Sequence, residues 1–133
     1  MQRTFVRSYD SLGEIFEFTS LFFNKEDIEE SVRLPVQFVT EELFTNMVKY
    51  NPGNANDILL SVATDGEVVT VTLTDYDVDE FDVTERRDVD ITLPLDKRKI
   101  GGLGLHLIQH MVDTLEYDYS ERKSKITFTK GLA

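Results

Sequence analysis

The chain has 133 residues, of which 41% are hydrophobic, and this length and composition predict one globular domain over residues 1–133. Its formal net charge of −11 argues against a nucleic-acid partner, because phosphate backbones are bound by basic surfaces, and favours a protein partner with a basic patch. The absence of cysteine excludes disulfides and thiolate zinc sites, and the lack of a membrane-length apolar run or a signal-peptide core predicts a cytoplasmic protein without a membrane partner.

The first part of the chain predicts a strand followed by a core-facing helix. Residues Arg3–Ser8 alternate enough in polarity for a short strand. The apolar residues of the following helix recur at helical spacing and are assigned to the core: Leu12, Ile15, Phe16, Phe18, Phe22 and Phe23. Residues 24–33 are charged and aperiodic, which predicts a connection with at most a short helical turn before Pro35.

A second helix is predicted to begin near Pro35, since proline fits the first turn, where its missing N–H removes no hydrogen bond. Its core-facing residues are predicted to be Val36, Val39, Leu43 and Met47. Its polar side carries Glu42 and Asn46, four residues apart and therefore stacked, with Lys49 three residues further on. An acid, an amide and a cation would then line one wall of a binding site. The same spacing is also typical of an ordinary solvated helix face.

The clearest strand pattern in the chain is a hairpin. Residues Asp57–Thr64 and Val68–Asp75 predict two strands joined by the turn Thr64-Asp65-Gly66-Glu67. In the second strand, valine and leucine alternate with threonine, which predicts one buried and one semi-polar face. The strand ends at Asp75, and strand ends that face a helix N-terminus are where ligands collect in α/β architectures.

The segment Asp75–Ile100 is strongly acidic and aperiodic, which predicts a long loop of the kind that is usually functional or mobile. An Asp-x-Asp-x-Asp run from Asp75 imitates the start of an EF-hand calcium loop. Glu80 and Arg86 replace the glycine and the glutamate that such a loop needs, so calcium is kept only as a minor alternative. The basic cluster Lys97-Arg98-Lys99 either folds over a phosphate chain or is simply exposed.

Three glycines, Gly101, Gly102 and Gly104, lead into an apolar helical pattern. Glycines at a helix N-terminus let backbone N–H groups approach a phosphate closely, whereas the alternative is a flexible turn before an ordinary core helix. The predicted core residues of this segment are Leu103, Leu107, Ile108, Met111, Val112 and Leu115. His106 and His110 are four residues apart, but no glutamate joins them as in a zinc-binding His-Glu-x-x-His helix, so no metal role is assigned.

Residues Glu116–Ser120 and Lys125–Lys130 predict a closing hairpin around residues 121–124. Thr127 lies on its last strand. The order of elements is strand, helix, helix, hairpin, long loop, helix and hairpin. It predicts an α+β fold, a two-layer sandwich of a mixed, mostly antiparallel sheet with helices packed on one face.

Three motifs then stand in a recognisable order. Glu42-x-x-x-Asn46 precedes a strand that ends in Asp75, and Gly101-Gly102-x-Gly104-Leu105 follows. This order resembles the Bergerat nucleotide-binding fold of gyrases, heat-shock chaperones, sensor histidine kinases and mismatch-repair ATPases, over nearly the whole chain. Size and the pair Phe81-Asp82 most resemble the stand-alone anti-sigma factor serine/threonine kinases of bacteria, whereas Lys49-Tyr50 is closer to the sensor histidine kinases.

The resemblance implies a role for each motif residue. Asn46 would hold Mg²⁺ through its side-chain oxygen, and Lys49 would neutralise phosphate charge. Asp75 would accept a hydrogen bond from the adenine amino group, and Glu42 would be the catalytic base that orients the attacking hydroxyl. The other contacts to ATP are implied for Gly101, Gly102, Gly104, Leu105 and, with less weight, Thr127.

The implied function is an ATP-dependent kinase that phosphorylates a serine or threonine of an antagonist protein and sequesters a sigma factor, with a homodimer allowed. Asp77 departs from the family's Asp-x-Gly pattern and places a carboxylate beside the expected purine. This departure favours the alternative, a non-catalytic binding module that keeps the fold and binds nucleotide weakly or not at all. Because a lone buried carboxylate is costly, Asp77 is predicted to turn outward or to meet a cation such as Arg86 or Arg87.

Overall fold

The structure is a computed structural model that describes residues 1–50, 53–80 and 102–132. In chain order the elements are β1 (Gln2–Phe5), a 3-10 helix (Tyr9–Ser11), α1 (Leu12–Lys25), α2 (Glu30–Tyr50), β2 (Ile58–Thr64), β3 (Val68–Tyr76), α3 (Gly102–Met111), β4 (Thr114–Ser120) and β5 (Lys123–Gly131). The predicted order of strands and helices is confirmed. No helix in these described ranges is long and apolar enough to cross a membrane.

The five strands form one sheet in the order β1-β2-β3-β5-β4, and each neighbouring pair is antiparallel. The helices lie on one side of this sheet, so the predicted α+β class is confirmed. The register places Leu73 of β3 between Leu60 of β2 and Ile126 of β5. All three side chains are almost completely buried. Rows of this kind form the side of the core that the sheet contributes.

Both predicted hairpins are present, and their turns have different chemistry. In the β2–β3 turn the carboxylate of Asp65 accepts hydrogen bonds from the backbone N–H groups of Glu67 and Val68, at 2.8 and 3.0 Å. The β4–β5 turn consists of Glu121 and Arg122, whose φ angles are 51° and 61°. Positive φ at both positions is the type I′ geometry that matches the twist of paired strands.

The apolar stripe predicted for α2 is confirmed, since all four of its residues are buried: Val36, Val39, Leu43 and Met47. The predicted start of this helix is wrong. α2 begins at Glu30, and Pro35 lies inside it. The N–H groups of Val32 and Arg33 both donate to the carbonyl of Glu29, at 3.0 and 3.2 Å. Val32 is buried in the core, so the extra turn gains apolar burial that offsets the hydrogen bond lost at proline.

Two predicted core residues lie at the surface instead. Phe16 of α1 is 52% exposed and Leu107 of α3 is 50% exposed. Each lies beside a buried position, Ile15 and Ile108 respectively, and one helix turns by about 100° per residue. Adjacent apolar residues therefore cannot all face one sheet, and the sequence does not say which of them turns outward.

Candidate functional site

The C-terminal half of α2 carries the polar side chains predicted to line one wall of the site. Glu42 and Asn46 are half-buried, and Lys49 is exposed. Glu41 is half-buried as well, and its burial, followed by the charge of Glu42, raises the pKa of Glu41 above the ordinary value of 4.5. Glu42 shares one side of the helix with Asn46, four residues later, whereas Glu41 is turned about 100° away from Glu42.

Asp75 lies one residue before the end of β3, and its side chain is 1% exposed. The alternation along β3 puts it on the helix-covered face, together with the buried Val71 and Leu73. A buried carboxylate requires partners, and Arg7 supplies them. Arg7 Nη2 donates to Oδ1 of Asp75, and Arg7 Nη1 donates to Oδ2 at 3.2 Å. The Arg7 side chain is only 5% exposed, so Arg7 and Asp75 form a buried, bidentate ion pair.

Arg7 also joins this carboxylate to α2. Its Nη1 lies 3.0 Å from the carbonyl oxygen of Met47 and 3.2 Å from Oδ2 of Asp75. Met47 directly follows Asn46, so a single nitrogen atom bridges the helix turn that carries Asn46 and the strand end that carries Asp75. Two motifs that are far apart in the sequence therefore meet at one place.

Asp77 adopts a left-handed backbone conformation with φ of 57°, a region that glycine favours and aspartate tolerates. Its side chain is 70% exposed and accepts a hydrogen bond from Arg122 Nε at 2.8 Å. Arg122 Nη1 donates to Asp79 at 2.9 Å, and these two carboxylates, Asp77 first, raise the pKa of Arg122 further above its usual range. Asp77 does turn outward and meet a cation, but the cation is Arg122, while Arg86 and Arg87 lie outside the described residues.

The chain that follows Asp75 is held by side chains from the loop between α2 and β2 and from strand β4. Asn54 Nδ2 donates to the carbonyl oxygens of Tyr76 and Asp77, at 2.9 and 3.0 Å. The Tyr119 hydroxyl donates to the carbonyl of Val78 at 2.8 Å. A cavity of about 410 Å³ opens beside this segment, lined in part by Asn54, Asn56, Asp77, Asp79 and Arg122. Hydrogen bonds from Asn54 and Tyr119 thus hold the backbone of residues 76–78, directly after Asp75.

Thr127 and Asp75 lie on opposite faces of the sheet. Thr127 is directly opposite Thr72, and their hydroxyl oxygens are 3.3 Å apart. Asp75 is directly opposite Ser124, which is buried at 7% exposure. Because side chains alternate between faces, Ser124 shares the helix-covered face with Asp75, and Thr127 does not. The structure therefore does not bring Thr127 to the predicted adenine contact.

The helix predicted after the glycines is confirmed. α3 begins at Gly102, so Gly102 and Gly104 both lie in its first turn, and α3 packs against α2. N–H groups in the first turn have no partner within the helix and carry the positive end of its dipole. Gly101, the segment 81–100 and the side chains of Leu105 and His106 lie outside what the structure describes, so their predicted roles stay predictions.

A family model matches nearly the whole chain. The model of the histidine kinase-like ATPase domain covers residues 5–130. The chain belongs to the histidine kinase-like ATPase family. Comparison with curated proteins gave no match. Family membership implies ATP binding, and it agrees with the five-stranded antiparallel sheet and its single helical layer.

The histidine kinase-like ATPase fold brings some predicted residues together and leaves others apart. It unites the Asn46 turn of α2 with Asp75 and places the N-terminus of α3 on a helix packed against α2. Within the described ranges, no group of three or more His, Cys, Asp or Glu side chains is placed to hold a metal ion. Asn46 carries an amide oxygen, which is a type of ligand that Mg²⁺ accepts together with phosphate oxygens and water.

Two residues of this site were not predicted from the sequence. Ser124 had a usable signal, since it alternates with Ile126 and Phe128 and must share their buried face. Arg7 had no comparable signal, because its partners on α2 and β3 lie 40 and 68 residues away along the chain.

Proposed function

We propose that this histidine kinase-like ATPase binds ATP with Mg²⁺ and phosphorylates a serine or threonine of an antagonist protein. On this proposal it also sequesters a sigma factor and so regulates transcription in the cytoplasm. The observation that carries the proposal is the bridge made by Arg7, which supports one shared site for Asn46 and Asp75. Asn46 is the proposed magnesium ligand and Asp75 the proposed acceptor for the purine amino group.

The remaining parts of the proposed site are supplied by two helices. The first turn of α3, with Gly102 and Gly104, would offer unpaired N–H groups to the phosphates. Lys49 is exposed at the end of α2, and its long side chain would place an ammonium group beside the phosphates. A magnesium ion held at Asn46 would neutralise charge on the phosphate oxygens.

Glu42 is the proposed base. It would accept the proton of the antagonist's serine or threonine hydroxyl while that oxygen forms a bond to the γ-phosphorus. The bond between the γ-phosphorus and the bridging oxygen then breaks, and ADP leaves with the electron pair. Glu42 lies four residues before Asn46, which places its carboxylate on the same side of α2 as the proposed metal ligand.

The alternative proposal is a protein-binding module that keeps the fold and binds nucleotide weakly or not at all. One observation favours it, since both oxygens of Asp75 already accept hydrogen bonds from Arg7. The net charge of −11 fits a partner with a basic surface under either proposal.

Calorimetric titration with ATP, in the presence and absence of Mg²⁺, separates the two proposals. We expect saturable binding that tightens with Mg²⁺, and we expect Asn46→Ala to weaken it mainly when Mg²⁺ is present. Asn24→Ala is the matched control, because Asn24 is an exposed asparagine near the end of α1 whose side chain contacts Arg33. No heat with millimolar ATP or ADP would leave only the binding module. Transfer of labelled phosphate to candidate antagonists and capture of a sigma factor test the partners.

A further inference from the structure

Arg7 is a buried cation that has no role in the proposed phosphoryl transfer. It lies in the short segment between β1 and the 3-10 helix, and its side chain is 5% exposed. The backbone around it is fixed, because the carbonyl of Val6 accepts hydrogen bonds from Ser8 N at 2.8 Å and from Ser11 Oγ at 2.7 Å. Rotation of the Arg7 side chain can move the guanidinium without breaking these two hydrogen bonds.

The guanidinium of Arg7 occupies the atoms that the base would use. It donates to both oxygens of Asp75, whose side chain is 1% exposed. A purine amino group is also a hydrogen-bond donor and would need the same carboxylate. A carboxylate oxygen can accept more than one hydrogen bond, but the Asp75 side chain is closed to solvent. A purine amino group arriving from outside can therefore reach it only if a group that covers it moves, and the Arg7 guanidinium is such a group.

The guanidinium is incompletely satisfied where it lies. Arg7 Nε is buried and has no hydrogen-bond partner among the residues that the structure describes. A buried N–H without an acceptor raises the free energy of the paired state, because its hydration is lost without replacement. The ion pair with Asp75 is therefore less stable than one in which every N–H group of the Arg7 guanidinium has an acceptor.

We propose that Arg7 is an internal competitor of the nucleotide base for Asp75, and that this competition sets the nucleotide affinity of the chain. The inference rests on the proposed nucleotide site. In the free protein Arg7 lies on Asp75, and binding of an amino-bearing purine displaces the guanidinium toward solvent. The apparent affinity is then reduced by the fraction of molecules in which Asp75 is already paired.

The test is a comparison of ATP binding by the parent chain and by Arg7→Gln, measured by calorimetry with Mg²⁺. Because glutamine removes the competing charge, we expect Arg7→Gln to bind ATP at least about tenfold more tightly. Arg3→Gln is the matched control, since Arg3 is an exposed arginine of β1 that pairs with Glu14 at 3.2 Å. It should bind ATP as the parent does.

A second measurement uses the parent chain alone, so it can be made even if Arg7→Gln does not fold. Hydrogen exchange at arginine Nε–H groups is followed by NMR in the parent, with and without saturating ATP. We expect exchange at Arg7 to speed up when ATP binds, while Arg33 Nε, which donates to the Ile28 carbonyl at 2.6 Å, stays unchanged.

The outcomes separate this inference from the proposed function. If the parent binds ATP but Arg7→Gln binds it no more tightly, or if Arg7 exchange is unchanged at saturation, Arg7 is not a competitor and the nucleotide site stands. If neither the parent nor Arg7→Gln binds ATP, the proposed function fails and this inference fails with it.

Discussion

Ser124 lies directly opposite Asp75 across the β3–β5 ladder, and both side chains lie on the helix-covered face of the sheet. Side chains that are opposite each other in an antiparallel pair have their Cβ atoms roughly 5 Å apart. A ligand group that contacts the Asp75 carboxylate is therefore within reach of the Ser124 hydroxyl. The Thr127 hydroxyl is directed to the other face, where it meets Thr72.

We therefore expect Ser124→Ala to weaken ATP binding by about two- to tenfold, the effect of losing one hydrogen bond. Thr127→Val should leave ATP affinity unchanged, because it removes a hydroxyl from the face that Asp75 does not occupy. Calorimetric titration of both variants with ATP and Mg²⁺ checks this. The reverse ranking would return Thr127 to the adenine contact and remove Ser124 from it.

A second prediction concerns the conformation of Asp77. Because φ at this residue is 57°, glycine fits the backbone without strain, and the carboxylate it would remove is exposed. We expect Asp77→Gly to preserve or tighten ATP binding and to change the Tm little. Asp77→Ala is the control, since it removes the same carboxylate but keeps a Cβ in the left-handed region.

The alanine variant should be less stable than the glycine variant by about 1–2 kcal/mol, which is the penalty of a left-handed residue with a Cβ. Urea unfolding of the two variants measures that difference. A large loss of ATP affinity in Asp77→Gly would contradict the prediction, because it would mean that the Asp77 carboxylate takes part in binding.

Features that depend on local periodicity could be predicted from the sequence. The β2–β3 hairpin and the buried stripe of α2 follow directly from alternation and helical spacing, because burial repeats every two or every three to four residues. The same alternation predicts Asp75 as the last residue of a strand, and the structure extends that strand by one residue, to Tyr76.

Features that depend on packing between distant segments could not be predicted. The exposure of Phe16 is decided by which of two adjacent apolar residues meets the sheet. The pairing of Arg7 with Asp75 is decided by how the segment after β1 is placed against β3. Pro35 shows the same limit, since burial of Val32 overrides the local preference for a helix start at proline.

A third prediction follows from the raised pKa of Glu41, whose causes are burial first and the charge of Glu42 second. The folded state then binds a proton at Glu41 more tightly than the unfolded state does. The contribution of Glu41 to the free energy of unfolding is therefore largest below the ordinary pKa of 4.5, where the carboxyl group is protonated in both states. That contribution is lost as the pH rises through the pKa of Glu41 in the folded state.

Glu41→Gln removes that charge, so we expect a higher Tm than the parent at pH 7 and a difference that shrinks toward zero below pH 4.5. Thermal unfolding over this pH range measures it. Glu17→Gln is the control, since Glu17 is an exposed glutamate on α1 and its loss makes the same change in net charge. An equal gain in both variants would assign the effect to net charge alone.

The last prediction separates catalysis from sequestration. Glu42 is half-buried on the polar side of α2, whereas the core is filled by the opposite stripe, so Glu42→Ala should leave folding and ATP affinity nearly unchanged. Loss of a positioned base should slow phosphate transfer by roughly 10²- to 10⁴-fold. Glu42→Ala should still bind a sigma factor, because that binding depends on the protein surface and not on proton transfer by Glu42.

The measurement is transfer of labelled phosphate from ATP to a candidate antagonist, run beside capture of the sigma factor. Glu41→Ala is the matched control, since it removes the neighbouring carboxylate, one residue and about 100° around the helix from Glu42. Transfer lost in Glu42→Ala and kept in Glu41→Ala identifies Glu42 as the base. Equal transfer by Glu42→Ala and the parent would exclude that role, because no other change in Glu42→Ala could restore a missing proton acceptor.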